Sequence, residues 1–283
     1  MKRLAVTIEK KEQISAYANA GADEVIAHVK GYSFGPLHAF GVDELPDLKK
    51  EAGQNGVMFT AAVNRLFHQG DLDDLKKMLE NIAADTVIFQ DPAVLRYVRM
   101  PAVYEPGTLA TNRFDLYFWK EAGCSLVSVS PLLTKEELLA MIREGGCSLD
   151  CFGYQLMSLS ARKLLTAYGQ AGHHEGLNEN RNLSLQEETR TGKMPVYEDA
   201  YGTCIYSDFI QEAFLELPEF LAAGLERVVI RSEFISDDVI LDVIRKYKDI
   251  IAGGDAALLR QAFIERHPAL PLETGYFEMK TVR

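Results

Sequence analysis

Cysteine, tryptophan and net positive charge are all scarce in this chain. Its 283 residues include four cysteines and one tryptophan, and 30 Lys and Arg stand against 41 Asp and Glu, a net charge of −11. Cys124, Cys147, Cys151 and Cys204 form no CxxC pair, so disulfides are not what holds the fold together. Excess acid repels polyphosphate at long range, which disfavours a free-standing nucleic-acid-binding module. No apolar run nears the roughly 18 residues of a membrane span. The first such run, Leu4 to Ile8, stops at Glu9, and the chain reads as soluble and cytoplasmic. A GxSxG elbow, a P-loop and an HExxH helix are missing as well, which removes the common hydrolase, nucleotide and zinc signatures.

What is present is an alternation of short β-type runs with amphipathic segments. Strands are predicted at Leu4–Ile8, Glu24–Val29, Val57–Val63, Thr86–Gln90, Ala102–Glu105, Leu126–Ser130, Leu149–Tyr154 and Arg227–Arg231. Helices are predicted at Lys11–Ala20, Leu72–Asn81, Arg113–Glu121 and Lys135–Arg143, several running into a glycine (Gly21, Gly123, Gly145). Repeated βα units in one domain point to an α/β fold, a closed TIM-like (β/α)8 barrel. The rhythm breaks once. Starts of successive strands lie 16 to 33 residues apart, but 78 residues separate Leu149 from Arg227, too many for an ordinary connection. The expected layout is a single barrel domain over 1–283, with an inserted lobe at about 156–205 and a helical segment at about 237–283. Within the insertion, the polar stretch 169–195 reads as an exposed lobe or lid over the barrel mouth, and Phe209–Ala223 as a helical return. Beyond the eighth strand, Asp237–Ile251 and Asp255–Arg266 read as helices.

Function in such a barrel sits at the C-terminal strand ends. The residues there are Glu9, His28, Lys30, Asn64, His68, Asp91, Glu105, Thr111, Asn112, Tyr154, Gln155, Arg231 and Glu233, a set able to bind a small polar ligand or one nucleotide. A wet barrel mouth explains the same residues. Asn64-x-x-x-His68 puts an amide and an imidazole on one loop, suited to ligand positioning or proton transfer, and equally to a surface histidine. Asp91 before Pro92 is also an N-cap pattern. His173-His174-Glu175 has metal-ligand atom types without distant partners, so no metal site is expected. Arg162, Lys163, Arg181, Arg190 and Lys193 slightly outnumber Glu175, Glu179, Glu187 and Glu188 in the lobe. With Tyr154, Tyr168, Tyr197 and Tyr201 nearby, this surface suits RNA contact or is simply a solvated loop. Phe114, Tyr117, Phe118 and Trp119 offer either a partner face or the packing of a barrel helix.

Several segments together carry a family resemblance. VNRLFH (63–68), QDPAVL (90–95), ATNRFDLYFWKEAG (110–123), LLTKEELLAMI (132–142), SARKLLTAY (160–168), EETRTGKMPVYEDAYGT (187–203) and LPEFLAAGLERVVI (217–230) resemble the collagenase-like U32 peptidase family, in the same order. The family fold, a TIM-like barrel with an insertion before the last strand, agrees with the strand pattern. Cluster-bearing members read approximately GALCxxxSGRCLLS after the seventh strand, followed by two more cysteines, and those four hold an iron–sulfur cluster. Laid without gaps on Gly153–Thr166, that segment puts Leu156 and Lys163 where the first two cysteines belong. No cysteine lies between Cys151 and Cys204, so the resemblance implies that this chain carries no family-type cluster and no other cofactor. Two further motifs depart: Ala-Arg-Glu-Leu is here Ser130-Pro131-Leu132-Leu133, and Ile-Glu-Gly-Arg is Ile230-Arg231-Ser232-Glu233.

That pattern is similar to short, cysteine-less U32 proteins of Firmicutes that accompany a longer, cluster-bearing paralogue. Family members are assigned to peptidase activity and to prephenate-dependent RNA hydroxylation, including 5-hydroxylation of the tRNA wobble uridine. The resemblance therefore implies a cluster-free partner of a longer paralogue, touching tRNA through the complex, with a homodimer also compatible. Its expected ligand-binding residues are Asn64, His68, Asp91, Arg162, Lys163 and Tyr201, with no catalytic residue assigned. A self-sufficient collagenase-type peptidase and a non-catalytic ligand-binding barrel are the alternatives. The first needs a nucleophile or metal-activated water that these residues do not supply.

Overall fold

The computed structural model describes residues 2–35, 37–172, 174, 176–177, 183–189 and 191–278. Eight parallel strands close on themselves: β1 (Arg3–Ile8), β2 (Glu24–His28), β3 (Met58–Val63), β4 (Thr86–Phe89), β5 (Ala102–Tyr104), β6 (Leu126–Ser128), β7 (Cys147–Ser160) and, eleventh in chain order, β11 (Arg227–Ile230). Each pairs with its neighbour in sequence, and β11 joins β7 on one side and β1 on the other, so the barrel has no free edge. This is the TIM-like barrel that the alternation predicts.

Around it run α1 (Gln13–Ala20), α2 (Leu45–Gln54), α3 (Leu72–Asn81), α4 (Pro92–Tyr97), α5 (Arg113–Glu121) and α6 (Lys135–Arg143). Local chemistry fixes their ends. Asn112 with Asp115, and Thr134 with Glu137, form capping boxes that start α5 and α6. Gly21 closes α1 with φ of 114°. Outward-facing strand residues such as Leu4, Val25, Phe59, Phe89 and Leu149 pack against the buried helix faces and form the main core.

The barrel interior is layered. At the N-terminal end, Arg227 is fully buried and makes a two-point contact with Glu24 (3.1 Å from Nε to Oε2, 2.5 Å from Nη2 to Oε1), while Thr60 donates to Glu24 at 2.6 Å. Burial works to raise the Glu24 carboxyl, but Arg227, Thr60 and Arg3 together hold it below the ordinary 4.5. Above this comes a ring of seven apolar side chains from seven strands: Ala5, Ile26, Ala62, Ile88, Val103, Leu126 and Val229. The eighth strand breaks the ring, because Asp150 of β7 lies in register with Val229. Its carboxylate belongs to the polar layer at the mouth.

The long excursion grows out of β7 itself. That strand runs past its barrel portion to Ser160 and pairs antiparallel with β10 (Thr203–Glu212), which pairs with β9 (Met194–Glu198) and then β8 (Leu183–Leu185). Helix α7 (Leu164–Gln170) follows β7. The predicted helical return over Phe209–Ala223 is corrected. Its first part is the end of β10, and only α8 (Leu217–Ala223) is helical. Period-2 and period-3.6 patterns overlap in a short apolar run, and the antiparallel partner that decides for strand is distant in sequence. The stretch read as an exposed polar lobe likewise supplies β8 and the start of β9 to a sheet. The chain then ends through α9 (Asp237–Ile251), α10 (Ala256–Arg266) and the short β12 (Leu272–Glu273), which pairs with β10.

Candidate functional site

A cavity of about 320 Å³ opens at the C-terminal ends of the barrel strands, beneath the extension formed by β7 and β10. Its floor carries His28, Asn64, Gln90, Glu105, Arg231 and Glu233, each at or just past a barrel strand's end, and Asp150 from within β7. Phe34, Tyr154, Gln155, Leu156 and Tyr206 line its walls.

Arg231 is the hub. Its Nε donates to Asp150 Oδ2 at 2.9 Å, and Nη2 donates to Asp150 Oδ1 at 3.0 Å and to Glu105 Oε2 at 2.6 Å. Two carboxylates thus share one guanidinium. Burial and the Glu105 charge push the Asp150 carboxyl up against the opposing pull of Arg231, whereas Arg231 is held firmly protonated by both acids despite its burial. Gly153 makes this geometry accessible. Its φ is 130°, and a Cβ there would lie 2.6 Å from the Arg231 Cβ and 2.7 Å from its carbonyl oxygen, so β7 can cross β11 this closely only without a side chain.

Glu233 and His28 form a second group. Thr7 Oγ1 donates to Glu233 Oε2 at 3.3 Å, and the Ser232 hydroxyl and amide bind Thr7 in turn. Burial works to raise the Glu233 carboxyl, but His28 and Arg231 hold it below the ordinary value. His28 Nε2 lies 3.5 Å from Glu233 Oε1, too long for a hydrogen bond, and neither ring nitrogen has a hydrogen-bond partner. Gln155 Nε2 is buried and unpartnered as well.

Of the residues expected to bind ligand, only Asn64 lines this cavity, and its Oδ1 accepts from the Phe34 amide at 3.2 Å. Asp91 caps α4, accepting from Ala93 N at 2.8 Å, and also takes the Phe67 amide at 2.8 Å. His68 is exposed and caps the short 3₁₀ turn Gln69–Asp71. The Arg65 guanidinium lies over the ring of Tyr201, in the turn between β9 and β10 (4.6 Å), and over that of Phe67 (4.8 Å). That contact joins the tip of the extension to the loop after β3. A second tie runs from the Tyr206 hydroxyl to the Gly35 carbonyl at 2.6 Å, so the extension arches across the mouth from β7 to the β2 and β3 loops. Arg162 and Lys163 are exposed at the start of α7 and do not line the cavity, whereas Leu156 does. Among the strand-end residues, Lys30, Thr111 and Asn112 are exposed. His173, Glu175, Glu179, Arg181 and Arg190 lie outside the described residues. On α5, Phe114 and Phe118 are exposed, while Trp119 stacks on Tyr104 at 3.6 Å.

Gln90, Asp150, Phe34 and Tyr206 were not singled out by sequence. Asp150 had a signal: a lone carboxylate inside the apolar run Leu149–Phe152 demands a buried partner. Tyr206 had none, because it reaches the mouth only through β10.

The donor set does not fit an iron–sulfur cluster. All four cysteines are buried, and burial pushes the thiols up, Cys124 to about 11 and Cys147 to about 12, with Cys151 and Cys204 raised further. Cluster ligation needs thiolates converging on one point. Among the described residues, no group of three His, Cys, Asp or Glu side chains is arranged to hold a metal ion, and no helix is long and apolar enough to cross a membrane.

Comparison with known proteins adds three findings. The chain is 23% identical to "tRNA hydroxylation protein P2" of Bacillus subtilis (strain 168), an alignment that spans 99% of this chain and 98% of that one. A solved U32 peptidase, Mk0906, superposes with a TM-score of 0.51 at 14% identity, covering 82% of this chain and 92% of that one. Phosphoribosylanthranilate isomerase from Thermotoga maritima superposes with a TM-score of 0.50 at 9% identity, covering 89% and 100%, which speaks to the barrel alone. The model of peptidase family U32 matches residues 9–276, and the chain belongs to that family.

Proposed function

We propose that this protein acts in tRNA hydroxylation as the cluster-free subunit beside a longer, cluster-bearing U32 paralogue, in the prephenate-dependent 5-hydroxylation of the wobble uridine. The observation that carries this reading is the end-to-end alignment with a relative named for tRNA hydroxylation. The cysteine chemistry supports the division of labour. Four buried, protonated thiols make this chain a poor home for a redox cluster, so the electron chemistry is assigned to the partner. Such a subunit works in the cytoplasm and reaches tRNA within the complex, since its own net charge of −11 opposes independent binding. A stand-alone peptidase has little to draw on. The same thiols are poor nucleophiles, and the His28 ring is hydrogen-bonded to no serine as an activating base requires.

Two measurements test the reading together. Mass spectrometry of tRNA nucleosides from cells lacking the gene is expected to show loss of 5-hydroxyuridine derivatives, restored by the full-length chain. Affinity purification of the tagged protein is expected to recover a longer U32 chain carrying the iron. Unchanged nucleosides, together with recovery of the protein alone and iron-free, would overturn the proposal.

A further inference from the structure

The mouth cavity has a charge balance and a set of unmet polar atoms that together specify a kind of ligand. Three carboxyl groups, Glu105, Asp150 and Glu233, face one guanidinium, that of Arg231, so acidic groups outnumber the guanidinium three to one. Arg231 is already engaged by two of the three acids. A dicarboxylate entering here adds charge of the same sign within a partly desolvated pocket, where each such contact is far costlier than in water.

The neutral polar groups point the other way. Asn64, Gln90 and Gln155, three carboxamides, line the same cavity. Gln90 and Gln155 each carry a donor and an acceptor side by side, the pattern complementary to a lactam or ureide edge, while Asn64, whose Oδ1 already takes the Phe34 amide, adds its amide nitrogen as a donor. Gln155 and His28 are each 5% exposed; Gln155 Nε2 and His28 Nδ1 have no hydrogen-bond partner, and His28 Nε2 has only the Glu233 carboxylate at 3.5 Å. Buried polar nitrogens left unmet cost stability unless something binds them. Phe34, Tyr154 and Tyr206 supply aromatic walls, and about 320 Å³ sits at the small end of the roughly 300–1,000 Å³ of small-molecule sites.

We propose that the mouth cavity is a binding site for an uncharged planar ring with a lactam or ureide edge, one nucleobase in size, and that it turns away dicarboxylates. The cavity alone carries this inference, which rests on the reading above only for its choice of uridine as probe.

The test is titration of the purified full-length chain with uridine and, separately, with malonate, read by ligand-observed NMR and calorimetry. Uridine is expected to bind saturably, and malonate to show no saturable binding at tenfold higher concentration. Gln155→Leu and Gln90→Leu, with thermal midpoints near that of the parent, are each expected to weaken uridine by about tenfold or more, the size of one buried hydrogen bond. Malonate binding as tightly as uridine, uridine failing to bind, or both variants binding it unchanged would each overturn the proposal. Its failure is distinguishable from failure of the functional reading. If tRNA modification is lost on gene deletion but uridine does not bind, only the ring site is wrong, and if uridine binds but modification survives deletion, only the pathway assignment is wrong.

Discussion

At the scale of single residues, the barrel gives its charged side chains unequal environments. Glu24 and Arg227 are both fully buried and satisfied by each other, so removing one strands the other. Glu24→Ala is expected to destabilise the protein by about 3–5 kcal/mol in denaturant unfolding, because it leaves a buried guanidinium without its acid. The pH dependence has a definite sign. The folded Glu24 carboxyl is held below the ordinary 4.5, so its contribution is fully present above that value and is lost as pH falls through the lower folded value. Stability curves of the parent and of Glu24→Gln should therefore begin to converge as pH falls below about 4.5 and meet only below the folded value. The cysteines give an equally direct prediction. With all four thiols buried and raised, a disulfide-exchange reagent at neutral pH should label none of them in the native protein and all four after denaturation. Prompt labelling of the native chain would contradict the account of these thiols given above.

At the scale of elements, the extension is held by side chains reaching across it. Helix α7 has no side-chain cap of its own. Glu198 of β9 takes that role, accepting from Leu165 N at 2.7 Å and Thr166 N at 3.1 Å while the Thr203 hydroxyl donates to it at 2.7 Å. The Thr166 hydroxyl, which also donates to Glu198, and these donors hold its carboxyl below the ordinary value although burial works against them. Glu198→Ala is expected to cost about 1 kcal/mol, the usual price of a lost cap. Hydrogen exchange should accelerate across 164–170 and leave β1 to β6 protected. Uniform acceleration across the barrel would mean that the extension and the barrel unfold as one unit. The capping boxes of α5 and α6 differ in kind, since their partners are three residues apart and can be read from sequence.

At the scale of the whole molecule, closure decides what the protein offers to its surroundings. Eight strands that share no free edge leave two ends, and the N-terminal end is sealed by Arg227, Glu24 and Thr60. The C-terminal end is left for binding, and the β7–β10 arch covers it in part. The tRNA and iron measurements belong to this scale, because they ask whether the protein acts in tRNA hydroxylation and whether a longer paralogue accompanies it.

By itself, the sequence determined the barrel, the order of its strands and the family. Alternating apolar runs and local caps are short-range information, and eight βα repeats admit few topologies. It also marked Asn64, Glu105, Arg231 and Glu233 as strand-end residues, because a βα unit fixes which end of its strand faces the mouth. Tertiary structure alone decided which of those groups meet. Asp150 and Glu105 share Arg231 across 81 and 126 residues of chain, and Tyr206 reaches the mouth only because β7 continues past the barrel to pair with β10. Arg162 and Lys163 looked suited to the mouth in sequence but lie exposed beside α7, since the course of an extension is set by long-range pairing that no local pattern encodes.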